Sequence, residues 1–232
     1  MTRNSFTRSA IALTLGLAAH AAMAQYTVQV GGAYLDPHSS ASAVSGPMTP
    51  SNALSLTVKP QSTVFFSAAR DLDEHWDLQL SLGIPPVHDT ALKVIDASAL
   101  PASVAAQDGV IISRARQVAP TLFANYKFGD PGSTWRPFVG LGINYTSFDQ
   151  TESTAANNLV NGGPTRIKLS DSWGAAAQVG VIYQIDSQWS LVGTYSTADV
   201  KTTVTTNTLG IERRADVKFN PSVLIFALGY HF

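Results

Sequence analysis

The chain has 232 residues, 45% of them hydrophobic and only 13% charged, with a formal net charge of −1 and no cysteine. That near-balance leaves no basic footprint for nucleic acid, and without cysteine there is no disulfide framework and no thiolate site. No segment after the N-terminal leader is apolar over 18 consecutive residues, so a low-charge chain of this kind can cross a membrane only as a closed β-barrel.

Residues 1–24, "MTRNSFTRSAIALTLGLAAHAAMA", carry Arg3 and Arg8, then the apolar run Ala10–Ala19, then small residues ending Ala22-Met23-Ala24. This is the layout of a cleaved secretory signal peptide, and its apolar run is too short to span a bilayer as a helix. Removing it takes away two of the 15 basic residues, so 13 remain against 16 acidic ones. The expected mature unit is one domain, residues 25–232, outside the cytoplasm.

Alternation of side chains across a strand has a period of two, and eight segments show it. The first, 25–35, sets Tyr26, Val28, Val30 and Tyr34 against Gln25, Gln29 and Gly31. The second, "LTVKPQSTVFFSAARDL" at 56–72, is the least regular because Phe65 and Phe66 break the pattern. The third, 76–84, opposes Trp76, Leu78, Leu80, Leu82 and Ile84 to Asp77, Gln79, Ser81 and Gly83. The fourth, 113–129, has Val118, Leu122, Ala124, Tyr126 and Phe128 against Gln117, Thr121, Asn125 and Lys127.

In the fifth, "RPFVGLGINYTSF" at 136–148, Val139, Leu141, Ile143 and Tyr145 face away from Gly140, Gly142, Asn144 and Thr146. The sixth, 172–185, places Trp173, Val179, Val181, Tyr183 and Ile185 against Ser172, Gly174, Gln178, Gly180 and Gln184. The seventh starts at Trp189 and carries Leu191 and Tyr195. The eighth runs from about Arg213 to the end, where "VLIFALGYHF" alternates Leu224, Phe226, Leu228, Tyr230 and Phe232 with Val223, Ile225, Ala227, Gly229 and His231.

Connections alternate in length. "DLDEH", "GDPGST" and "DS" suit tight hairpins, whereas 36–55, 89–112, 150–167 and 205–212 are long. Short turns on one side and long loops on the other predict an all-β fold, an eight-stranded antiparallel transmembrane β-barrel with both ends on the periplasmic side. A soluble sandwich also alternates. Two features oppose it: aromatics collect near the ends of the apolar face, and the other face is rich in Gly, Gln, Asn and Ser.

Three stretches carry more than a barrel pattern: "RPFVGLGINYTSF" (136–148), "DSWGAAAQVGVIYQID" (171–186) and "ADVKFNPSVLIFALGYHF" (215–232). With these motifs the chain resembles the outer membrane protein W family of Gram-negative bacteria. The resemblance covers essentially the whole mature chain, strongest from Pro120 onward and weakest in the first two loops. It departs at Ala227, where the family often has another glycine. The resemblance implies an eight-stranded barrel with a narrow, largely apolar channel, associated with passage of small hydrophobic molecules across the outer membrane. Related proteins assist alkane uptake. It also implies that the C-terminal strand (Phe226, Leu228, Tyr230, Phe232) carries the signal read by the barrel-assembly machinery.

An eight-stranded barrel is just wide enough for its interior to be filled by side chains. A conduit must therefore be lined by small or withdrawn residues, and Gly31, Gly140, Gly142, Asn144, Gly174, Gln178, Gly180 and Gly229 are the channel-lining candidates. Glycines there equally serve curvature and close strand packing. Gln29, Gln79, Asn125, Asn144 and Gln178 can instead bond one another as a plug. In that case a hydrophobic solute enters from outside and leaves sideways between strands. Met48, Leu54, Leu56, Leu159 and Val160 are candidates for a hydrophobic entrance in the loops, with packing inside partly ordered loops as the other reading.

Two other function classes stay open. A lipid-acting enzyme needs a nucleophile–base pair, but His38 and Ser39 are adjacent on an extended chain and no G-x-S-x-G is present. A surface docking protein would use the long loops. "HWD" and "PVHD" lack metal-ligand spacing and are expected on a solvated rim, and no cofactor is implied. The expected partners are outer-membrane lipid, the assembly machinery and small hydrophobic solutes.

Overall fold

The structure is a computed structural model that describes residues 26–232; the expected signal peptide lies outside them. In chain order the strands are β1 (Tyr26–Asp36), β2 (Ser40–Ala41), β3 (Leu54–Val58), β4 (Gln61–Asp71), β5 (Trp76–Gly83), β6 (Val87–Val94), β7 (Ile111–Val118), β8 (Thr121–Lys127), β9 (Trp135–Ser153), β10 (Thr165–Leu169), β11 (Ser172–Gln184), β12 (Trp189–Ala198), β13 (Val200–Thr208), β14 (Ile211–Phe219) and β15 (Ser222–His231). Two short helices, α1 (Ala102–Ala105) and α2 (Ala155–Asn161), lie in the long connections.

Eight of these strands close a barrel in the order β11-β12-β15-β1-β4-β5-β8-β9, with β9 returning to β11. First and last strands pair from Thr27↔His231 to Asp36↔Ser222, and the Phe232 amide donates to the Tyr26 carbonyl at 3.0 Å. The barrel strands show period-two burial along most of their length, β4 included, where Phe65 turns inward and Phe66 outward. Leu78, Leu141, Val179 and Phe226 stand exposed outward, while Gln79, Gln178 and Ala227 are buried inward.

Aromatic side chains form two girdles on the outer face. At the short-turn end Trp76 packs on Tyr126, Tyr126 on Phe128, Trp135 on Tyr183, and Trp189 on Tyr230, with centroids 4.6–5.2 Å apart. At the other end Tyr145 packs on Trp173 at 4.8 Å. Tyr145 lies ten residues beyond Trp135 on one strand. At about 3.3 Å per residue and a tilt near 40° the girdles are roughly 25 Å apart, the height of the apolar band of an outer-membrane barrel.

Two of the three short turns share a device. Asp73 Oδ1 accepts from the backbone amides of His75 and Trp76, and Asp186 Oδ1 from those of Gln188 and Trp189, all at 2.8 Å. These are Asx turns, and the D-x-x-W spacing places a girdle tryptophan at the start of the next strand.

Three predicted strands are each two. Segment 56–72 breaks at Lys59-Pro60 into β3 and β4, 113–129 breaks at Ala119-Pro120 into β7 and β8, and 213–232 breaks at Asn220-Pro221 into β14 and β15. Proline has no N–H to give a ladder and locks φ, so each break falls where a strand passes from the barrel to what stands above it.

The four expected long loops are correspondingly more ordered than predicted. β9 continues past the barrel and carries β7, β6 and β3 in one sheet, while β10, β13, β14 and β2 form a second. Residues 205–212 are mostly a hairpin rather than a loop, turning at Leu209-Gly210 with φ of 53° and 90°. Between the sheets lies an apolar core of Leu54, Leu56, Leu92, Ile112, Val200, Val217 and Phe219.

Candidate functional site

The lumen is divided by a hydrogen-bonded layer of side chains from five barrel strands. Gln79 on β5 is its hub. Its amide nitrogen donates to Gln29 Oε1 (3.2 Å) and Ser67 Oγ (3.0 Å), and its Oε1 accepts from Asn125 Nδ2 (3.1 Å) and Gln178 Nε2 (2.8 Å). Gln178 Nε2 also donates to Asn125 Oδ1 at 2.6 Å, and Asn125 Nδ2 to Asp77 Oδ1 at 2.7 Å. All six residues are buried. Mutually satisfied polar groups of this kind stay in place, because opening the layer leaves each one unpaired.

On the short-turn side of this plug lies a polar cavity of about 1460 Å3 of empty space, including its open mouth, lined by Gln29, Asp71, Asp77, Lys127, Arg136 and His231 among others. Lys127 Nζ bridges Asp71 (2.5 Å) and Asp77 (3.5 Å) there. Above the plug the lumen turns apolar. A vestibule of about 830 Å3, again counted with its mouth, is lined by Ala33, Leu35, Phe65, Phe123, Val223 and Ile225, with Asn144 and Thr146 at one side. None of the residues lining the lower cavity lines this one.

Two further apolar cavities continue outward inside the extension. One, of about 780 Å3, shares Leu35, Gln117, Val200 and Pro221 with the vestibule. The outermost, of about 790 Å3, shares Leu56 and Val204 with it and reaches Met48, Leu100 and Val160. The three form one apolar series from the tip of the extension down to the plug.

The barrel wall beside the vestibule has a slot. β5 pairs with β8 only as far as Ser81↔Thr121, and backbone pairing resumes where the Gln117 amide donates to the Pro86 carbonyl at 2.9 Å and Val87 faces Arg116. Between these points lie Leu82–Pro85 on one side and Val118–Pro120 on the other, a gap roughly 13–16 Å long at 3.3 Å per residue. Each lip is held from behind: the Ile84 amide donates to the Val64 carbonyl, and the Pro120 carbonyl accepts from the Tyr145 amide. Exposed backbone donors are costly against lipid, and Pro85, Pro86 and Pro120 supply none. Leu82 points outward and is exposed, yet it also lines the vestibule, and Gly83 on the inward parity is exposed as well. The slot lies level with the Tyr145–Trp173 girdle.

Of the predicted channel-lining residues, Asn144 lines the vestibule and Gln178 belongs to the plug. The glycines make room for larger neighbours: a Cβ on Gly180 would meet the Phe138 ring, one on Gly142 the Phe123 ring, and one on Gly140 the Asn125 amide. Gly31, Gly174 and Gly229 lie against the Phe226–Ala227 backbone, the Asp199 carbonyl and Ser190 Oγ. Met48, Leu54, Leu56 and Val160 meet around the outermost cavity, whereas Leu159 faces away, 51% exposed. Phe226, Leu228, Tyr230 and Phe232 share the outer face of the closing strand.

Sequence reasoning missed the inward aromatics Phe65, Phe123 and Phe138, for which the Phe65-Phe66 doublet was the available signal. It also set His88 on a solvated rim, and the structure corrects this: His88 is buried, 6% exposed, because β6 belongs to the extension rather than to a loop. Among the described residues no group of three His, Asp or Glu side chains could hold a metal ion.

A closed eight-stranded barrel with a lipid-facing apolar band, two aromatic girdles and a plugged lumen defines a bacterial outer-membrane β-barrel protein. Residues 49–232 match the OmpW family, and the chain belongs to it. It is 31% identical to outer membrane protein W of Vibrio cholerae over 166 residues, covering 69% of this chain and 76% of that one. With its Salmonella typhimurium counterpart it shares 37% over 121 residues, 52% of this chain and 56% of the relative's length. The fold is similar to that of OprG from Pseudomonas aeruginosa, with a TM-score of 0.77 at 23% identity over 90% of this chain and 96% of that one.

Proposed function

We propose that this barrel takes small hydrophobic molecules from outside the cell and delivers them sideways into the outer leaflet. The observation that carries this reading is the pairing of three successive apolar cavities, neighbours sharing wall residues, with a plug below and a wall slot beside them. An apolar solute gains nothing by crossing the Gln79 layer, since that would break hydrogen bonds it cannot replace. Through the slot it passes from an apolar cavity into hydrocarbon without meeting bulk water. The extension holds the path shut from the side and open at its tip, and no step in it is catalytic. Export through the leader 1–24, and membrane assembly guided by Phe226, Leu228, Tyr230 and Phe232, belong to the same reading.

Gly83 tests it. A Cβ there meets only Thr63 Cγ2 and the Val64 carbonyl, both at 3.4 Å, so position 83 has room for a side chain, and Gly83→Phe would put a ring at the inner mouth of the slot. Cells with an intact lipopolysaccharide layer should take up N-phenyl-1-naphthylamine several-fold faster when they carry the protein, and Gly83→Phe should abolish the gain while heat-modifiable migration shows a folded barrel. Undiminished uptake by the variant removes the lateral exit.

A further inference from the structure

The wall of the route is mainly apolar, and one run of its polar side chains leads from the middle cavity to the slot. His88 on β6 lines the middle cavity, Gln117 on β7 lines both that cavity and the vestibule, and Ser81 on β5 lines the vestibule beside the slot. His88 and Ser81 are both more than nine-tenths buried, and His88 Nε2 and Ser81 Oγ have no hydrogen-bond partner among the described residues. Two of the four orphaned buried side-chain atoms among the described residues thus lie along the apolar cavities.

The tautomer of His88 follows from its other nitrogen. Nδ1 lies 3.4 Å from the Lys59 carbonyl, which can only accept, so Nδ1 carries the proton and Nε2 presents a lone pair. Burial, the largest influence on this imidazole, pushes its pKa down and keeps it neutral. The Gln117 side chain lies beside the ring, yet no donor of the described residues meets Nε2 with hydrogen-bond geometry, so a ligand that donates would complete it in this largely apolar cavity.

Resting on the transport reading, we infer that the solute is an amphiphile carrying a hydroxyl group, such as a long-chain primary alcohol, whose O–H donates to His88 Nε2 in the middle cavity and then meets Ser81 at the slot. An ether, ester or alkane of the same length fits the walls but leaves the nitrogen unpaired. The donor end would travel along the His88–Gln117–Ser81 line while the alkyl chain follows the apolar side.

The test is an NMR titration of the full barrel in lipid nanodiscs, with ring-15N-labelled histidine, using 1-decanol, the isomeric methyl nonyl ether and decane. After correction for partition into the bilayer, the alcohol should bind about tenfold more tightly than the ether, and the His88 Nε2 resonance should move with the alcohol alone. His88→Phe should bring the alcohol-to-ether ratio to about one. If that variant does not fold, the wild-type ligand series and the nitrogen shift still decide. Equal occupancy by alcohol and ether with Nε2 unmoved overturns the hydroxyl assignment and leaves transport standing. Occupancy by none of the three overturns both.

Discussion

The barrel and the extension above it are built from the same alternating strands, but they turn opposite faces to their surroundings. In the lower barrel the polar side chains point inward, where Gln29, Gln79, Asn125 and Gln178 bond one another, and Leu78, Leu141 and Leu228 point out. In the extension Leu56, Leu92, Val217 and Phe219 point in, and Glu212, Asp216 and Lys218 point out. The change of outer face falls at Asn220-Pro221, between Lys218 and Leu224. The solvent on the outside decides which parity is buried: lipid satisfies the apolar side below, and only a packed core can satisfy it above. The upper barrel combines the two, apolar inside and out, and that is where the vestibule and its slot lie.

Breaking the extension core should have the largest effect. Leu56→Asp removes a buried side chain, a loss of roughly 2–5 kcal/mol for truncation alone, and adds a carboxylate with no partner. Hydrogen exchange should then show β13 and β14 unprotected while β1 and β15 keep their protection. Loss of barrel protection as well would mean that the two regions are one cooperative unit. The mirror-image change is Leu141→Arg, about midway between the girdle residues Trp135 and Tyr145 on β9 and 75% exposed. A charge on the lipid face near midplane costs about 2–4 kcal/mol, readable as a lowered denaturant midpoint for folding into bilayers, and the extension core should be unaffected.

The smallest effect is expected at the seam between β7 and β9. Arg116 Nε and Nη2 donate to the two carboxylate oxygens of Asp149 at 2.7 and 2.6 Å, and these bonds hold the Asp149 carboxyl below its ordinary range. A carboxylate whose pKa is lowered on folding adds stability above its unfolded pKa, near 3.9, and loses it as pH falls through the lower folded value. Both side chains are partly in water, so the contribution is small. Protection factors of the β7 amides, corrected for the intrinsic pH dependence of exchange, should fall in acid more steeply in the wild type than in Asp149→Asn. Parallel profiles would remove the pair from the account.

Much of the barrel was legible in the sequence because period-two alternation directly encodes which face meets lipid. Phe128, Tyr183 and Trp189, near the ends of the apolar face, marked the girdle. The extension was not legible for the same reason. Its strands "VKTTVTTNT" and "IERRADVKF" have too few large apolar residues to stand out, and a reader following alternation runs through Pro60, Pro120 and Pro221 to join strands from different sheets. A plug of Gln29, Gln79, Asn125, Asn144 and Gln178 was one of two readings, but that Gln79 is its hub, that Ser67 and Asp77 join it, and that Asn144 bonds Thr121 and Thr146 instead depend on register and shear. His88 was misplaced because burial on β6 comes from β3, β7 and the sheet across the core.

By itself, then, the order of residues determined that this chain forms a membrane barrel, which strands line it, and which end carries the short turns, since these depend on local periodicity and turn chemistry. Only the tertiary structure decided that the long connections build a second, conventionally packed body, that the lumen is plugged, and that the wall opens between β5 and β8. Each of those depends on which distant side chains and backbone groups find partners, and pairing across strands has no signature within any one of them.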